Sequence, residues 1–552
     1  MRGDMKRSSP MADSFDVIVI GSGFGGAWAA RELAENGLRV KLFESGPRYD
    51  PDRDFTESVV EMYGRFGWKG RRVHVGQGVG DMSTGVGGSS LDYWAFSPQP
   101  QNFAIDEWAP VIRNDLFDTE VDPYTGYYKP IKFYAWIDRR VPIDLRQDRP
   151  VSCAAEKCIE AARALGYTAG RCPAAVLPSN FRRVDEKGIP LEGCVGCAHC
   201  VIGCRRPLHM PLHAKAKRTM QVAAVWFAEY YGAQVVSDAH VTRILTDGSG
   251  AACGVEYKIK NDSQTYTEYA PVVFLAGGAI ESVRLYLNSG LPDPNPSWPQ
   301  VGHWLTDHQQ SEVMFFCDEP VVTRPYVGCF PGAFITNPTP ADQRDGIIES
   351  IGGGFPIIAI NVMLSVPQKN PDNLREPHPT RPVIWGPEMK ALAKEFIRAA
   401  GMGTQTNDEC IYENYITVSD SVADEYGPVA EIHYEPTPLT MERHERQTAR
   451  KVDFARKAAG SNAKIVLNYP GGSGSHPLST LRMGLSPANS VCDPYHECWA
   501  VPRLYVSDAS CVPNGLGGSN PARTINAFAS RAAYYAMKKY FPGKWENRTW
   551  PW

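Results

Sequence analysis

The chain has 552 residues, and its 57 Lys and Arg nearly balance 61 Asp and Glu, giving a formal net charge of -4. With no basic block, that balance excludes a nucleic-acid-binding or anionic-membrane-binding surface, and no apolar run approaches the ~18 residues a membrane span needs. Hydrophobic residues make up 43% and charged ones 21%, as in a soluble globular protein long enough for about two or three domains.

The opening residues, MRGDMKRSSPMADSFDVIVIG, run from a short basic head straight into a strand pattern. They lack the separate apolar region and small-residue cleavage site of a signal peptide, so the expected compartment is reducing and cytoplasmic. Export bound to a partner subunit is the alternative. Asp16 to Ile20 is β-rich, Gly21-Ser-Gly23-Phe-Gly25-Gly26 follows, and AWAARELAENG carries helical apolar spacing up to Gly37. RVKLFE then reads as a second strand closing on Glu44. Strand, Gly-x-Gly-x-x-Gly, helix, strand and acid in one unit point to a bound dinucleotide. Gly21, Gly23 and Gly26 let backbone N–H groups approach a pyrophosphate at the helix start, and Glu44 is placed to accept from an adenosine ribose. The motif serves FAD and NAD alike; its place at the head of a long chain favours FAD.

Four of the 14 cysteines fall close together in CVGCAHCVIGCRRP, at Cys194, Cys197, Cys200 and Cys204. The spacing C-x2-C-x2-C-x3-C matches a bacterial ferredoxin run up to its proline. Pro207 comes two residues late, after Arg205 and Arg206, whose charge would help offset that of a cluster. An iron–sulfur cluster is the favoured reading. Structural thiols, zinc and disulfides stay open.

From 232 to 290 short strands, with Val241 among them, lead into PVVFLAGGA and a helix beginning near Ile280. Residues 310 to 460 are strand- and proline-rich, with expected strands such as IIAINVMLSV and two amphipathic helices, PEMKALAKEFIRAAGMG and TMERHERQTARKVDFARKAAG. Residues 503 to 540 repeat the order strand, loop, long helix. The expected class is α/β (α+β), with one Rossmann-like sheet assembled from discontinuous segments, 13–84, 232–309 and 462–552. A flavin-loop and Cys-rich insertion would span 85–231. A substrate domain with a mainly antiparallel sheet and helices would span 310–461.

Six segments, in order, resemble the glucose–methanol–choline (GMC) family of flavin oxidoreductases. They are GVGGSSLDYW (85–94), GGAIESVRLYLNSGL (277–291), VGHWLTDH (301–308), HPLSTLRMG (476–484), LYVSDASCVP (504–513) and GGSNPARTINAFASRAA (517–533). The resemblance implies an FAD-binding enzyme whose flavin loop includes Gly87, Gly88, Ser89 and Ser90. Val241, Asp508, Ala509, Asn520 and Pro521 join the implied cofactor-binding set. Asp508 reads equally as a helix-proximal cap. Asp92 stands where the family usually has Asn, and no His lies in STGVGGSS, so the FAD is expected to be non-covalent.

Oxidising an alcohol with a flavin needs a base near the hydroxyl and a second group holding its oxygen. His476 matches the family's active-site His, and Asn520 the second position. As bare residues, each before a proline, both also suit turns. His308 reads as a structural hydrogen-bonder. The expected activity is oxidation of a CH–OH group of a sugar, glycoside or hydrophobic alcohol. Hydride would go to flavin N5, the proton to His476 and the electrons to an external acceptor. A cluster would add a small subunit and a cytochrome to the expected partners. The rivals are an O2-using oxidase without a cluster, a non-redox lyase of the same fold, and an electron-transfer subunit.

Overall fold

The computed structural model describes residues 15–50, 74–76, 83–123, 125–141, 143, 150–178, 182–184, 188, 190–200, 204, 215–318, 321–337, 339–351, 366–367, 386–460, 464–473 and 476–552. Arg205, Arg206, Pro207 and nearly all of the strand expected at 357–366 lie outside those residues.

The apolar runs Val17–Ile20 and Val272–Leu275 are buried at every position, as strands covered on both faces must be. With Val40–Phe43, Gln234–Val236 and Leu504–Val506 they build a five-stranded parallel sheet. Its order is 504–506, 272–275, 17–20, 40–43, 234–236, so segments from the start, middle and end of the chain share one sheet. Lys41 interrupts the apolar pattern and pairs with Glu268 on a neighbouring antiparallel meander, Ala239–Thr246, Ala252–Ile259 and Thr265–Tyr269.

Helix Phe24–Glu35 leaves the first strand and buries nearly all its length, packing against helix Ala522–Tyr540. Glu32 is fully buried between them. One carboxylate oxygen accepts from Trp28 Nε1 (3.0 Å), Trp136 Nε1 (2.8 Å) and Ser530 Oγ (2.9 Å), and the other from Arg140 Nη1 (3.3 Å). A buried carboxylate is tolerated only with this degree of hydrogen bonding.

The second layer is a seven-stranded antiparallel sheet in the order Val366–Pro367, Lys464–Ser473, Gln309–Phe316, Ala399–Thr406, Gly346–Ile351, Pro331–Thr336, Thr168–Arg171. Helices Cys153–Ala164 and Pro438–Ala459 cover one face of it. Cys158, Ile159, Val452 and Phe454 pack there against Val313, Phe315, Ile348 and Met402. The sheet thus takes strands from 168–171 and 464–473, beyond the 310–461 limits read from the sequence. Gly346 begins its strand beside Gly518, whose would-be Cβ would lie 3.0 Å from Gly346 Cα, and Gln309 begins another directly after His308.

Replacing Glu32 with Ala leaves two indole N–H groups and a hydroxyl buried without their acceptor. We expect a loss of about 3 kcal/mol of unfolding free energy, read by denaturant titration.

Candidate active site

The glycine turn after Ile20 fits close backbone packing. Gly21 sits at φ +92°, and a Cβ there would stand 2.4 Å from Ala276 O. A Cβ on Gly25 would meet Ser507 O at 2.0 Å, and one on Gly26 would meet Gly21 O at 1.9 Å. These two glycines therefore serve helix–strand contact. Gly23 differs, because no atom lies within 4 Å of its would-be Cβ. Gly23 is also the N-cap of Phe24–Glu35, with no side-chain cap bond and no acid in the first turn. An uncapped helix start facing open space is an anion site, so these residues fit a dinucleotide pyrophosphate.

The 83–90 loop closes over this start. A Cβ on Gly88 would lie 2.7 Å from Gly23 Cα, and Gly87 N donates to Ser22 Oγ (2.9 Å). Ser90 Oγ donates to Gly87 O (2.6 Å) and accepts from Met220 N (2.7 Å), while Ser89 Oγ accepts from Ser83 N (3.0 Å). Asp92 accepts from Ser83 Oγ (2.6 Å). Glu44 is buried at the end of the second strand. Its carboxylate accepts from Ser22 N (3.0 Å), Ser22 Oγ (2.6 Å), Gly46 N (2.9 Å) and Gly85 N (3.1 Å). It therefore holds the loop itself, and burial raises its pKa. Val241 is buried on the strand whose Ala239 N donates to Glu44 O (2.9 Å).

Asp508 acts as the cap that its sequence position allowed. It accepts from Gly278 N (2.7 Å) and Ser282 Oγ (2.6 Å) at the start of helix Gly278–Asn288, and from Ser510 N (2.9 Å). Ala509 begins the short turn that follows, and Pro521 is the N-cap of Ala522–Tyr540.

His476 and Asn520 lie on separate loops, and each has a partner that sequence alone does not supply. Asp307 Oδ1 accepts from the backbone N–H groups of both His308 (2.7 Å) and His476 (2.9 Å). The two imidazoles meet Nδ1 to Nδ1 at 2.9 Å, and His308 Nε2 stands 2.9 Å from Gly515 O. A carbonyl only accepts, so His308 carries its proton on Nε2 and offers a lone pair at Nδ1. His476 must then donate from Nδ1, which leaves its Nε2 as a free base. Both rings must be neutral for this to hold. Burial lowers His308 to about 4, and burial, then the neighbouring His308, depresses His476 well below the ordinary imidazole value. His308 is thus more than a structural hydrogen-bonder: it sets which nitrogen of His476 is basic.

Asn520 Nδ2 approaches Glu349 Oε2 at 3.5 Å, and its Oδ1 is buried with no partner among the described residues. Glu349 lies on Gly346–Ile351 and is 3% exposed. Burial raises it to about 8 against hydrogen bonds with Asn520, Gln405 and Cys172, so it is a neutral acid at pH 7. The only sequence signal for it was a lone Glu in the apolar run GIIESI. The four clustered cysteines lie apart from this pair and line one small cavity. Among the described residues, no three or more His, Cys, Asp or Glu side chains form a site for a metal ion.

The N-terminal GMC oxidoreductase family model matches residues 18–310 and the C-terminal one residues 412–529. The chain spans 45% of the length of the first curated relatives it matches, two mycobacterial GMC-type oxidoreductases 28% identical over 57% of this chain. It is 24% identical to the gluconate 2-dehydrogenase flavoprotein of Pantoea cypripedii, over 95% of this chain and 94% of that one. It is 25% identical to a cholesterol oxidase of Mycobacterium tuberculosis, over 95% and 91%. Among solved structures, pyridoxine 4-oxidase from Mesorbium loti superposes with a TM-score of 0.62 at 16% identity, covering 96% of this chain and all of that one (100%). The N-terminal model alone takes in more than half of the residues, and the chain belongs to the GMC oxidoreductase family.

Proposed function

We propose that this chain binds FAD non-covalently and oxidises a CH–OH group of a sugar, glycoside or hydrophobic alcohol, passing the electrons to an external acceptor. The observation that carries the reading is the chain of hydrogen bonds from Gly515 O through His308 to His476, which leaves one imidazole nitrogen basic. The related gluconate dehydrogenase flavoprotein and cholesterol oxidase bracket the two substrate classes. The compartment we infer is reducing and cytoplasmic. No helix among the described residues is long and apolar enough to cross a membrane.

Bound FAD supplies the hydride acceptor. The uncapped start of Phe24–Glu35 and the loop around Gly87 to Ser90 would hold it, with Val241, Ala509 and Pro521 as further contacts that the family resemblance implies. His476 Nε2 takes the hydroxyl proton as the C–H bond breaks, and His308 keeps the ring turned so that this nitrogen is available. Asn520 fixes the substrate oxygen in a manner that depends on Glu349. A protonated Glu349 can donate to the Asn520 carbonyl only after the amide turns over from the orientation of the structure, in which Nδ2 faces Glu349; that turn points the NH2 toward the substrate oxygen. An ionised Glu349 accepts from that NH2 instead and leaves Oδ1 facing the substrate, where it competes for the proton.

Anaerobic mixing with gluconate, simple diols and sterols should bleach the flavin with at least one of these substrates. His476→Ala should slow that bleaching about 10²–10⁴-fold with FAD content unchanged; an unchanged rate would remove the base from the account. Because His476 is held below its ordinary value of 6.5, the rate should stay level as pH falls from 7 past 6.5 and drop only below it. His308→Ala should lower the rate about 10–10³-fold and move that acid limb. On the alkaline side the rate should fall near pH 8 as Glu349 ionises. Glu349→Gln, whose NH2 donates to Asn520 at every pH, should abolish that fall.

A further inference from the structure

We propose that Asp408 and Tyr434 are positioning residues of the active site: together they hold the 306–309 segment against Gly515 and so keep the His308 proton on Nε2. The proposal rests on the reading that His308 sets the basic nitrogen of His476. The contact between His308 Nε2 and Gly515 O joins two loops 207 residues apart, and its two ends must be held in place. Both ends meet at Asp408.

Asp408 follows strand Ala399–Thr406 and is 3% exposed. Its Oδ1 accepts from the N–H of Gln309 (3.0 Å), the residue directly after His308, and its backbone carbonyl accepts from Thr306 Oγ1 (3.5 Å), two residues before it. That carbonyl also faces Gly515, where a Cβ would stand 3.2 Å from Asp408 O and 3.3 Å from Thr306 Oγ1. One residue thus brackets His308 on both sides and backs the residue whose carbonyl His308 meets. Asp408 Oδ2 accepts from Tyr434 Oη, and Gln309 Nε2 donates to the same hydroxyl at 3.4 Å. Asp408, Tyr434 and Gln309 therefore close a ring of hydrogen bonds at the start of strand Gln309–Phe316. A buried carboxyl is costly without partners, and the donors to this one come from Gln309 and Tyr434.

The bracket is itself anchored. Arg443 Nη1, on helix Pro438–Ala459, donates to Asn407 O (3.0 Å), and Glu409 N donates to Thr440 Oγ1 (3.1 Å). Thr437, the N-cap of that helix, bonds the Glu409 carboxylate. A helix of 22 residues packed on the antiparallel sheet is thus the support of the imidazole pair. The charged and titratable groups facing Asp408 are Tyr434 and Arg443, with Asp307 on the far side of Tyr434. Burial raises Asp408 to about 7, opposed by the bonds from Tyr434 and Gln309 and by the Arg443 charge. The hold survives in either form. Ionised, both oxygens accept; protonated, Oδ2 donates to Tyr434 Oη while Oδ1 still accepts from Gln309 N. Asparagine keeps that Oδ1 acceptor and alanine removes it.

The test uses the full-length, FAD-loaded protein with 15N-labelled histidine, read by NMR without substrate, in Asp408→Ala, Asp408→Asn and Tyr434→Phe. In Asp408→Ala the His308 nitrogen resonances should move toward the averaged values of exchanging tautomers. Anaerobic flavin bleaching should slow roughly 10- to 10²-fold, with FAD content unchanged. Tyr434→Phe should move the same resonances the same way by less, and Asp408→Asn should return the wild-type pattern. A side chain serving stability alone would shift the unfolding midpoint and leave the histidine resonances in place. Wild-type resonances in Asp408→Ala, or averaged ones in Asp408→Asn, would overturn the proposal. Should Asp408→Ala fail to fold, unmoved resonances in Tyr434→Phe overturn it. A wild-type His308 protonated on Nδ1 would sink the tautomer reading and this proposal together, whereas a proton on Nε2 that no variant disturbs sinks this proposal alone.

Discussion

The geometry of the site depends on one acceptor that cannot donate. Gly515 O faces His308 Nε2, and that contact orders every proton along the two imidazoles to the basic nitrogen of His476. The carbonyl needs a fixed loop, and the loop is fixed from the helical side. Asn514 Oδ1 accepts from Trp108 Nε1 (3.1 Å), its Nδ2 donates to Ala104 O (2.9 Å), and Gln101 N donates to Leu516 O (3.3 Å). Gly517, at φ +70°, lets the loop turn where a Cβ would strike Gln101. The same loop ends at Asn520, so the carbonyl that faces His308 and the Asn520 amide lie on one anchored segment.

The two sheets divide the work. The parallel sheet carries the glycine turn and the helix start at the ends of its strands, where ligands of such sheets bind. The antiparallel sheet contributes Glu349 from its interior and His308 from the approach to Gln309–Phe316. Neither layer alone forms the pair His476–Asn520 with both of its partners. Low-dielectric burial then acts on the chemistry: it lowers the pKa of both histidines and raises that of Glu349.

The parallel sheet was legible because VIVI and VVFL are short apolar runs that each end at glycine, a pattern set by burial on both faces. His476 and Asn520 were legible through the family resemblance, not through their own neighbours. Their partners were not, because the deciding contacts are remote: His308 meets Gly515 across 207 residues, and Asn520 meets Glu349 across 171. Glu44 shows what a remote loop adds to a local signal. Its position at the strand end points to a ribose contact, and Ser22, Gly46 and Gly85 also donate to its carboxylate once the distant 83–90 loop folds over it. Asp508 also caps helix Gly278–Asn288, which comes far earlier in the chain and starts beside it.

The most direct test of the central claim is the protonation pattern of His476 in the folded protein, read by 15N NMR with labelled histidine and assigned through His476→Ala. At pH 7 the account predicts a neutral ring with its proton on Nδ1 and a lone pair on Nε2, and a switch in that pattern in His308→Ala. A proton on Nε2, or a charged ring at pH 7, would contradict it.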